Sequence, residues 1–198
     1  MSLIDRIDAA RERWNVLEHP FYVRWERGEL SREELAQYAG EYRHAVVALA
    51  DAAATVAPLA GSRHAEEESG HIELWDDFAA QAGTDSTREP LRETKTCASA
   101  WRGADDAVGA AAILYAIEAG QPAISETKLS GLVEHYGYRN DSPATAYFRV
   151  HAELDHEHAA EGRALLERHA SLEDEDRLVG LAEDALAGNW TLLDGVSP

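Results

Sequence analysis

Residues 151–158 read HAELDHEH, and they lie in a segment from about residue 142 to 170 whose apolar residues recur with helical spacing. An α-helix turns by about 100° per residue, so His151, Asp155 and His158, at positions i, i+4 and i+7, share one face. Tyr147 and Phe148 lie on or beside that face, so the polar trio interrupts an apolar seam. Either the seam is exposed, or a helical protein has an internal site that needs these side chains as ligands.

Helical patterns also dominate the rest of the chain, and no segment shows a convincing strand alternation. Ser31 and Glu34 form a capping-box pattern at the start of one helix, and Pro58 and Gly61 mark its end. The predicted helices span about residues 2–16, a short stretch after Pro20, 31–60, 62–83, 93–102, 105–136 with a bend at 120–122, 142–170, and 172–188 with a frayed tail, and residues 84–92 are predicted as a loop. We therefore predict a single all-α domain over residues 1–198, built as a bundle of about seven helices.

Composition limits the classes of function. The 198 residues carry a formal net charge of −19, which argues against nucleic-acid binding and against attraction to anionic membranes. The single cysteine, Cys97, excludes an internal disulfide framework, and the first residues lack an apolar signal core. The two most apolar runs each contain an acidic residue and are too short to span a bilayer. We expect a soluble, cytoplasmic protein without nucleic-acid or membrane partners.

Two further helices carry acidic or histidine residues where an apolar face is expected. Glu118 is the only charged residue in the stretch from 107 to 125, and an unpaired carboxylate is costly to bury. Glu68 and His71 have the E-x-x-H spacing that di-iron helical bundles direct inward. Glu67, four residues before His71, is an alternative to Glu68. These positions are candidates for the same internal site.

A fourth helix adds Glu41 on a face that is otherwise apolar or aromatic. The candidate metal ligands are then four carboxylates and three imidazoles: Glu41, Glu68, His71, Glu118, His151, Asp155 and His158. Carboxylates and imidazoles without thiolates suit iron or manganese better than a structural zinc site. Each motif alone has an ordinary explanation, such as a buried ion pair for Glu118, so the metal site is inferred from their occurrence together. The remaining histidines and Cys97 are expected to have structural or surface roles.

Longer motifs resemble a known family. The segment HPFYVRWERGELSREELAQYAGEY resembles the start of the heme-oxygenase-like superfamily, which includes TenA, PqqC and CADD-like proteins. AILYAIEAGQP, KLSGLVEHYGY and the His-x3-Asp-x2-His motif resemble the di-iron oxidases and oxygenases of that superfamily. The resemblance covers about residues 19–160. It implies a heme-oxygenase-like fold, two iron ions per chain as Fe(II) or Fe(III) with manganese as an alternative, and a homodimer. The implied activity is the oxidation of a small-molecule substrate by O2.

The same resemblance assigns roles to residues. The ligands of the family correspond to His71, Glu118, His151, Asp155 and His158, with Glu68 or Glu67 and then Glu41 completing the set. In the CADD branch a tyrosine of the protein itself is thought to become p-aminobenzoate, and Tyr22 and Lys128 stand where the sacrificial tyrosine and the lysine donor are expected. Three alternatives remain open: a metal-free PqqC-like oxidase, a TenA-like hydrolase with a nucleophilic cysteine, and a non-catalytic binding protein of the same fold.

Overall fold

The computed structural model describes residues 1–84 and 89–197, and over these ranges the regular structure is entirely helical. The α-helices are α1 (Leu3–Arg13), α2 (Pro20–Glu26), α3 (Arg32–Ala60), α4 (Arg63–Ala82), α5 (Arg92–Trp101), α6 (Ala107–Glu118), α7 (Gln121–Glu134), α8 (Ala146–His169) and α9 (Glu175–Val196), with short 3-10 helices at Val16–Glu18 and Pro143–Thr145. The predicted all-α class is confirmed. The predicted loop over residues 84–92 lies partly outside the described residues.

Local sequence signals explain several helix ends. The Glu34 backbone N–H donates to Ser31 Oγ at 3.2 Å, and the Ser31 N–H donates to Glu34 Oε2 at 2.7 Å, so the predicted capping box forms. Gly83, at φ 84°, ends α4 in the left-handed conformation that glycine adopts without strain. Pro58 lies inside α3, which continues to Ala60.

Two of the predicted helices differ from the structure. The predicted bent helix over 105–136 is two helices, because the chain leaves α6 at Ala119 and restarts with Gln121 and Pro122, where proline suits a first turn. The described α-helices therefore number nine, more than the seven or so predicted. The frayed tail predicted after residue 188 was wrong, since α9 continues to Val196 and buries Leu192 and other apolar side chains against the core.

Helix α6 lies at the centre of the fold. Every residue from Gly109 to Glu118 is buried, and α6 packs against α3, α8 and α9. Within the described residues, one helical stretch, Ala107–Glu134, is apolar enough by length and composition to cross a membrane, but 72% of its apolar window is buried inside the protein, as in the core helix of a soluble fold. This packing carries Glu118 into the interior between α4 and α8.

Candidate metal centre

Six of the predicted ligands meet in the core. Their side chains come from α4, α6 and α8, and each residue is at most 7% exposed: Glu68, His71, Glu118, His151, Asp155 and His158. The exposed neighbours on α8, among them His156 and Glu157, confirm that one face of that helix is turned inward. The polar interruption of the apolar seam in HAELDHEH is therefore an internal site and not a solvated face.

Glu68 is at the centre of this group. Its Oε1 atom lies 3.1 Å from His71 Nδ1 and 3.7 Å from His158 Nδ1, and its Oε2 atom lies 3.8 Å from His151 Nε2. Two sets of donor atoms close enough to hold a metal ion both include it: Glu68 with His71 and His151, and Glu68 with His64 and His158. Glu68 is therefore the carboxylate that the two donor sets have in common.

His64 is a candidate ligand to which the sequence analysis gave only a structural or surface role. Its Nε2 atom lies 2.9 Å from Glu118 Oε1 and 4.0 Å from Glu68 Oε1, and its ring lies against the His158 ring with the centroids 4.0 Å apart. His64, Glu68 and His71 have the spacing i, i+4, i+7. This is the same pattern, His-x3-acid-x2-His, that His151, Asp155 and His158 form on α8.

The two motifs lie antiparallel to each other, because the segments of α4 and α8 that carry them run in opposite directions. His64 at the start of the α4 motif faces His158 at the end of the α8 motif, and His71 faces His151 with ring centroids 4.5 Å apart. Glu68 lies between the two histidine pairs. The arrangement therefore gives two adjacent donor sets, with Glu118 of α6 at the His64 end.

The donor set fits a metal. Among the described residues, the following buried atoms have no hydrogen-bond partner: Glu68 Oε2, both oxygens of Glu118, both oxygens of Asp155, His151 Nε2, His158 Nδ1 and His64 Nε2. His64 Nε2 and Glu118 Oε1 are only 2.9 Å apart, yet they are not aligned for a hydrogen bond. Buried polar groups without partners are costly, and bound cations remove that cost. Carboxylate oxygens and imidazole nitrogens are ligands of iron and manganese.

Outer contacts orient two of the imidazoles. His151 Nδ1 lies 2.8 Å from the Tyr147 carbonyl oxygen, so that Nδ1 carries the proton and Nε2 is left to bind a metal. His158 Nε2 lies 3.1 Å from Glu67 Oε2, and its Nδ1 faces the centre. The Glu67 side chain is 31% exposed and also pairs with Arg63. The geometry therefore favours Glu68 as the metal ligand, and Glu67 as the residue that orients His158.

The electrostatics follow from burial and crowding. Burial raises the pKa of the Glu118 carboxyl well above its usual value, and the nearby Asp155 and Glu68 charges add to the effect. Burial also disfavours the charged form of His158, but the carboxylates around it outweigh burial and raise the pKa of His158 to about 9; the foremost of them is Asp155, whose Oδ1 lies 3.4 Å from His158 Nδ1. Without cations the centre thus retains protons that metal ions would displace.

Glu41 lies apart from these donor sets. Its Oε2 atom accepts hydrogen bonds from the Leu91 backbone N–H at 2.9 Å and from Thr94 Oγ1 at 2.6 Å. Leu91 is the N-cap residue of α5 and Thr94 lies in its first turn, where a carboxylate is favoured by the helix dipole. The contacts of Glu41 favour a structural role, and its assignment as a ligand stays a prediction.

The two residues predicted to react, Tyr22 and Lys128, lie together in a buried aromatic cage. The cage consists of Lys128 of α7 and four rings around its Nζ atom, namely Tyr42 at 4.5 Å, Tyr22 at 5.1 Å, Tyr38 at 5.6 Å and Phe148 at 5.9 Å to the ring centroids. The hydroxyls of Tyr22 and Tyr38 are hydrogen-bonded at 2.8 Å. Burial lowers the pKa of Lys128 to about 7, so near neutral pH part of its amine is uncharged.

Close packing of α2 on α7 fixes the cage. Trp25 Nε1 donates to the Lys128 carbonyl oxygen at 3.1 Å. A Cβ atom on Gly131 would lie 2.6 Å from Trp25 Cδ1, so this contact requires glycine. The cage adjoins the metal centre through α8, where Phe148 completes the cage and the neighbouring Tyr147 ring stacks on His151 at 3.9 Å.

Comparisons with known proteins indicate an iron-containing enzyme. Residues 33–194 match a family described as iron-containing redox enzymes. The chain is 30% identical to a 4-aminobenzoate synthase of Chlamydia muridarum, with 98% of this chain and 89% of that protein covered. It is 27% identical to a 4-aminobenzoate synthase of Nitrosomonas europaea, with 96% and 89% covered. A Shewanella denitrificans domain with a heme-oxygenase-like fold superposes with a TM-score of 0.79 at 20% identity, over 99% of this chain and 92% of that one.

The chain therefore belongs to the family of iron-containing redox enzymes, with a heme-oxygenase-like fold. It is an oxidoreductase, as the sequence analysis predicted, and iron is the metal that the family membership supports. O2 and a small-molecule substrate are the partners that the related enzymes imply.

Proposed function

We propose that the protein binds two iron ions between α4, α6 and α8 and uses O2 to convert its own Tyr22 into 4-aminobenzoate, with Lys128 as the source of nitrogen. The observation that carries the proposal is the position of Lys128 Nζ, 5.1 Å from the centroid of the Tyr22 ring, in a cage that adjoins the buried donor set. The similarity to 4-aminobenzoate synthases over nearly the whole chain supports the same reaction.

Two iron ions fit the two donor sets that share Glu68. His71 and His151 would hold one ion, and His64, His158 and Glu118 the other, with Asp155 beside His158 at 3.4 Å. When bound, iron supplies the electrons and the open coordination positions with which O2 is reduced. Manganese is compatible with the same donors, so its exclusion requires metal analysis.

The residues of the cage have separate tasks. Burial of the Tyr22 ring, which is 1% exposed, excludes water from the aromatic carbons that would be oxidised. The Tyr22 hydroxyl is fixed by its hydrogen bond with Tyr38. Lys128 can act as a nitrogen nucleophile because burial lowers its pKa to about 7, whereas an exposed lysine would be protonated.

Tyr42 and Tyr38 are alternatives to Tyr22 as the tyrosine that is consumed. Their ring centroids lie 4.5 Å and 5.6 Å from Lys128 Nζ, on either side of the Tyr22 distance. Tyr22 is preferred because the resemblance of the HPFY segment points to it. Peptide mapping that identifies which tyrosine is altered separates the three.

The other enzyme classes fit less well. A TenA-like hydrolase needs a nucleophilic thiol, but burial raises the pKa of Cys97, which lies on α5 and belongs to neither donor set. A metal-free PqqC-like oxidase would be expected to have a basic pocket, whereas this centre is made of carboxylates and imidazoles. Homodimer formation and cytoplasmic location stay predictions.

The test starts from metal-free protein titrated with Fe(II) under nitrogen and then mixed with oxygenated buffer. We expect about two irons per chain, O2 consumption, and at most one 4-aminobenzoate per chain, since the protein is its own substrate. Ring-¹³C tyrosine and ¹⁵N-lysine incorporated into the protein should both appear in the product. The altered peptide should contain residue 22.

Matched variants make the outcome specific. Tyr22→Phe and Lys128→Met should each abolish the product while leaving iron binding intact. Tyr115→Phe removes a tyrosine that bonds Asp8 outside the cage and should leave the product unchanged. O2 consumption without label in any product would contradict the self-consuming reaction, and an external substrate would then replace Tyr22. No iron uptake would contradict the proposal as a whole.

A further inference from the structure

A cavity opens to solvent directly beside the metal centre. It has a volume of about 280 Å³ and lies between the end of α3, the start of α4 and the last turns of α8. His64 lines it, together with apolar side chains such as Leu59 and Leu165. A water molecule in the liquid occupies about 30 Å³, so the cavity has room for a metal cation that keeps several of its waters.

The His64 ring separates this cavity from the buried donor atoms. The side chain is 11% exposed, whereas its Nε2 atom is buried and lies 2.9 Å from Glu118 Oε1. The other donors of the centre are less accessible: the His71 side chain is 8% exposed and does not line the cavity, and the rest are at most 1% exposed. A cation in the cavity therefore meets His64 before the other candidate ligands.

Arg63 bridges α4 and α8 at the mouth of the cavity, which it lines together with Glu161. Its guanidinium group lies 2.5 Å from Glu161 and 3.4 Å from Glu157, both on α8. It also lies 3.4 Å from Glu67 of its own helix, and Glu67 in turn contacts His158 Nε2 at 3.1 Å. Exposed ion pairs of this kind each contribute little to stability, so the Arg63 bridge can open without unfolding the protein.

The charges at the mouth favour a cation. Three carboxylates, those of Glu67, Glu157 and Glu161, converge on the Arg63 guanidinium group. The cavity lining adds Arg168, which is exposed and forms no ion pair with the described residues. Three carboxylates against two guanidinium groups leave a net negative charge, which attracts cations. Carboxylate oxygens are ligands of divalent cations, so an ion such as Fe(II) can replace the guanidinium group among them.

We infer that this cavity is the entrance through which Fe(II) reaches the buried centre, and that Arg63 closes it until the ion exchanges with its guanidinium group. The ion then passes from the carboxylates at the mouth to His64, and from His64 to Glu118 and Glu68. The inference rests on the proposal that iron binds to these donor sets, but not on the reaction of Tyr22.

The test measures how fast Fe(II) enters the metal-free protein and leaves the loaded protein under nitrogen, with a ferrous chelator that traps the free ion. Ala164→Trp and Ala60→Trp place a large ring in the cavity from opposite walls, since both alanines are exposed and line it. Each should slow uptake and release by the same factor, about tenfold or more. The iron bound at equilibrium should not change, because an entrance alters rates and not affinity.

Arg63→Met removes the bridge and should speed uptake by about threefold to tenfold. Arg163→Met is the matched control for the change in charge, since Arg163 forms an exposed ion pair with Glu167 on α8 and does not line the cavity. Ala54→Trp is the matched control for the added ring, since Ala54 is exposed on α3 but does not line the cavity. Both controls should take up iron like the unaltered protein.

Unchanged rates in the tryptophan variants would overturn the inference and show that iron enters by another route, such as a local opening of α8. Equal acceleration in Arg63→Met and Arg163→Met would reduce the role of Arg63 to overall charge and overturn it. Because the two added rings stand on different helices, damage to the fold by one substitution leaves the other to decide. No iron uptake by the unaltered protein would overturn the proposed function as well, whereas normal uptake with unaffected variants would overturn only the entrance.

Discussion

The Nε2 atom of His64 lies 2.9 Å from Oε1 of Glu118, although the two residues belong to different helices and neither atom has a hydrogen-bond partner among the residues described. Both atoms are buried, and the next donor atoms around them belong to Glu68 and His158. An imidazole nitrogen and a carboxylate oxygen that lie this close without a hydrogen bond between them are positioned to bind the same metal ion. This contact adds a histidine to the ligand set predicted from the sequence, so His64 is the first residue to test.

His64→Gln should lower the iron content from the proposed two ions per chain toward one, because the donor set around His158 loses a nitrogen ligand. Iron analysis after gel filtration, with Mössbauer spectra of the ⁵⁷Fe-loaded protein, measures the loss. The control is His156→Gln, since His156 lies on α8 beside the centre but is exposed. Full iron content and an unchanged spectrum in His64→Gln would show that His64 is no ligand.

Glu68→Gln should remove both iron ions, whereas Glu67→Gln should weaken binding by about tenfold or more without abolishing it. Glu68 belongs to both donor sets, while Glu67 belongs to neither and reaches the centre through the outer nitrogen of His158. Titration with Fe(II) under nitrogen gives both affinities. Equal losses in the two variants would argue against Glu68 as the shared ligand.

Glu41→Gln should leave the iron content at the level of the unaltered protein but lower the free energy of unfolding by about 1–2 kcal/mol. The reason is that Glu41 accepts hydrogen bonds from Leu91 and Thr94 at the start of α5. Urea unfolding of the metal-free protein measures the stability, with the exposed Glu33→Gln as control. Loss of an iron ion in Glu41→Gln would restore the ligand assignment made from the sequence.

Lys128→Met should change the pH dependence of stability between about pH 7 and 9. Burial lowers the pKa of Lys128 to about 7 from 10.5, so in this range the unfolded chain binds a proton that the folded chain does not. Stability of the unaltered protein then rises with pH relative to Lys128→Met, by up to about 1.4 kcal/mol per pH unit. Below pH 7 the difference should become constant. A flat difference across the range would mean that the four aromatic rings keep the ammonium form and hold the pKa near its usual value.

Removal of iron should lower the melting temperature. The centre contains three buried carboxylates, Glu68, Glu118 and Asp155, whose repulsion is relieved by cations. A ligand at about 100 times its dissociation constant adds roughly 2.7 kcal/mol to the free energy of unfolding. Calorimetry before and after chelation, with iron restored as a control, tests the effect. An equal or higher melting temperature without metal would show that the carboxylates are solvated or remain protonated at no cost.

The sequence by itself determined what repeats locally along the chain. The helical class, the capping box at Ser31 and the inward face of α8 all follow from spacing, since residues at i, i+4 and i+7 of a helix share a face in any fold. The polar residues on those faces predicted a carboxylate–histidine centre, and the family resemblance added Tyr22 and Lys128. The end of α9 was missed because burial of Leu192 and Val196 depends on α9 packing against other helices.

Only the tertiary structure decided which residues of different helices meet. His64 has the same spacing to Glu68 and His71 as His151 has to Asp155 and His158. However, the same spacing also occurs on surface helices, so it does not by itself identify a ligand. Its role depends on the antiparallel approach of α4 to α8, which brings the His64 and His158 rings within 4.0 Å. The same holds for Glu41, which meets the start of α5, and for Glu67, which meets the outer nitrogen of His158. Helix periodicity fixes the direction of a side chain from its own axis, whereas the contact it makes depends on the packing of the whole chain.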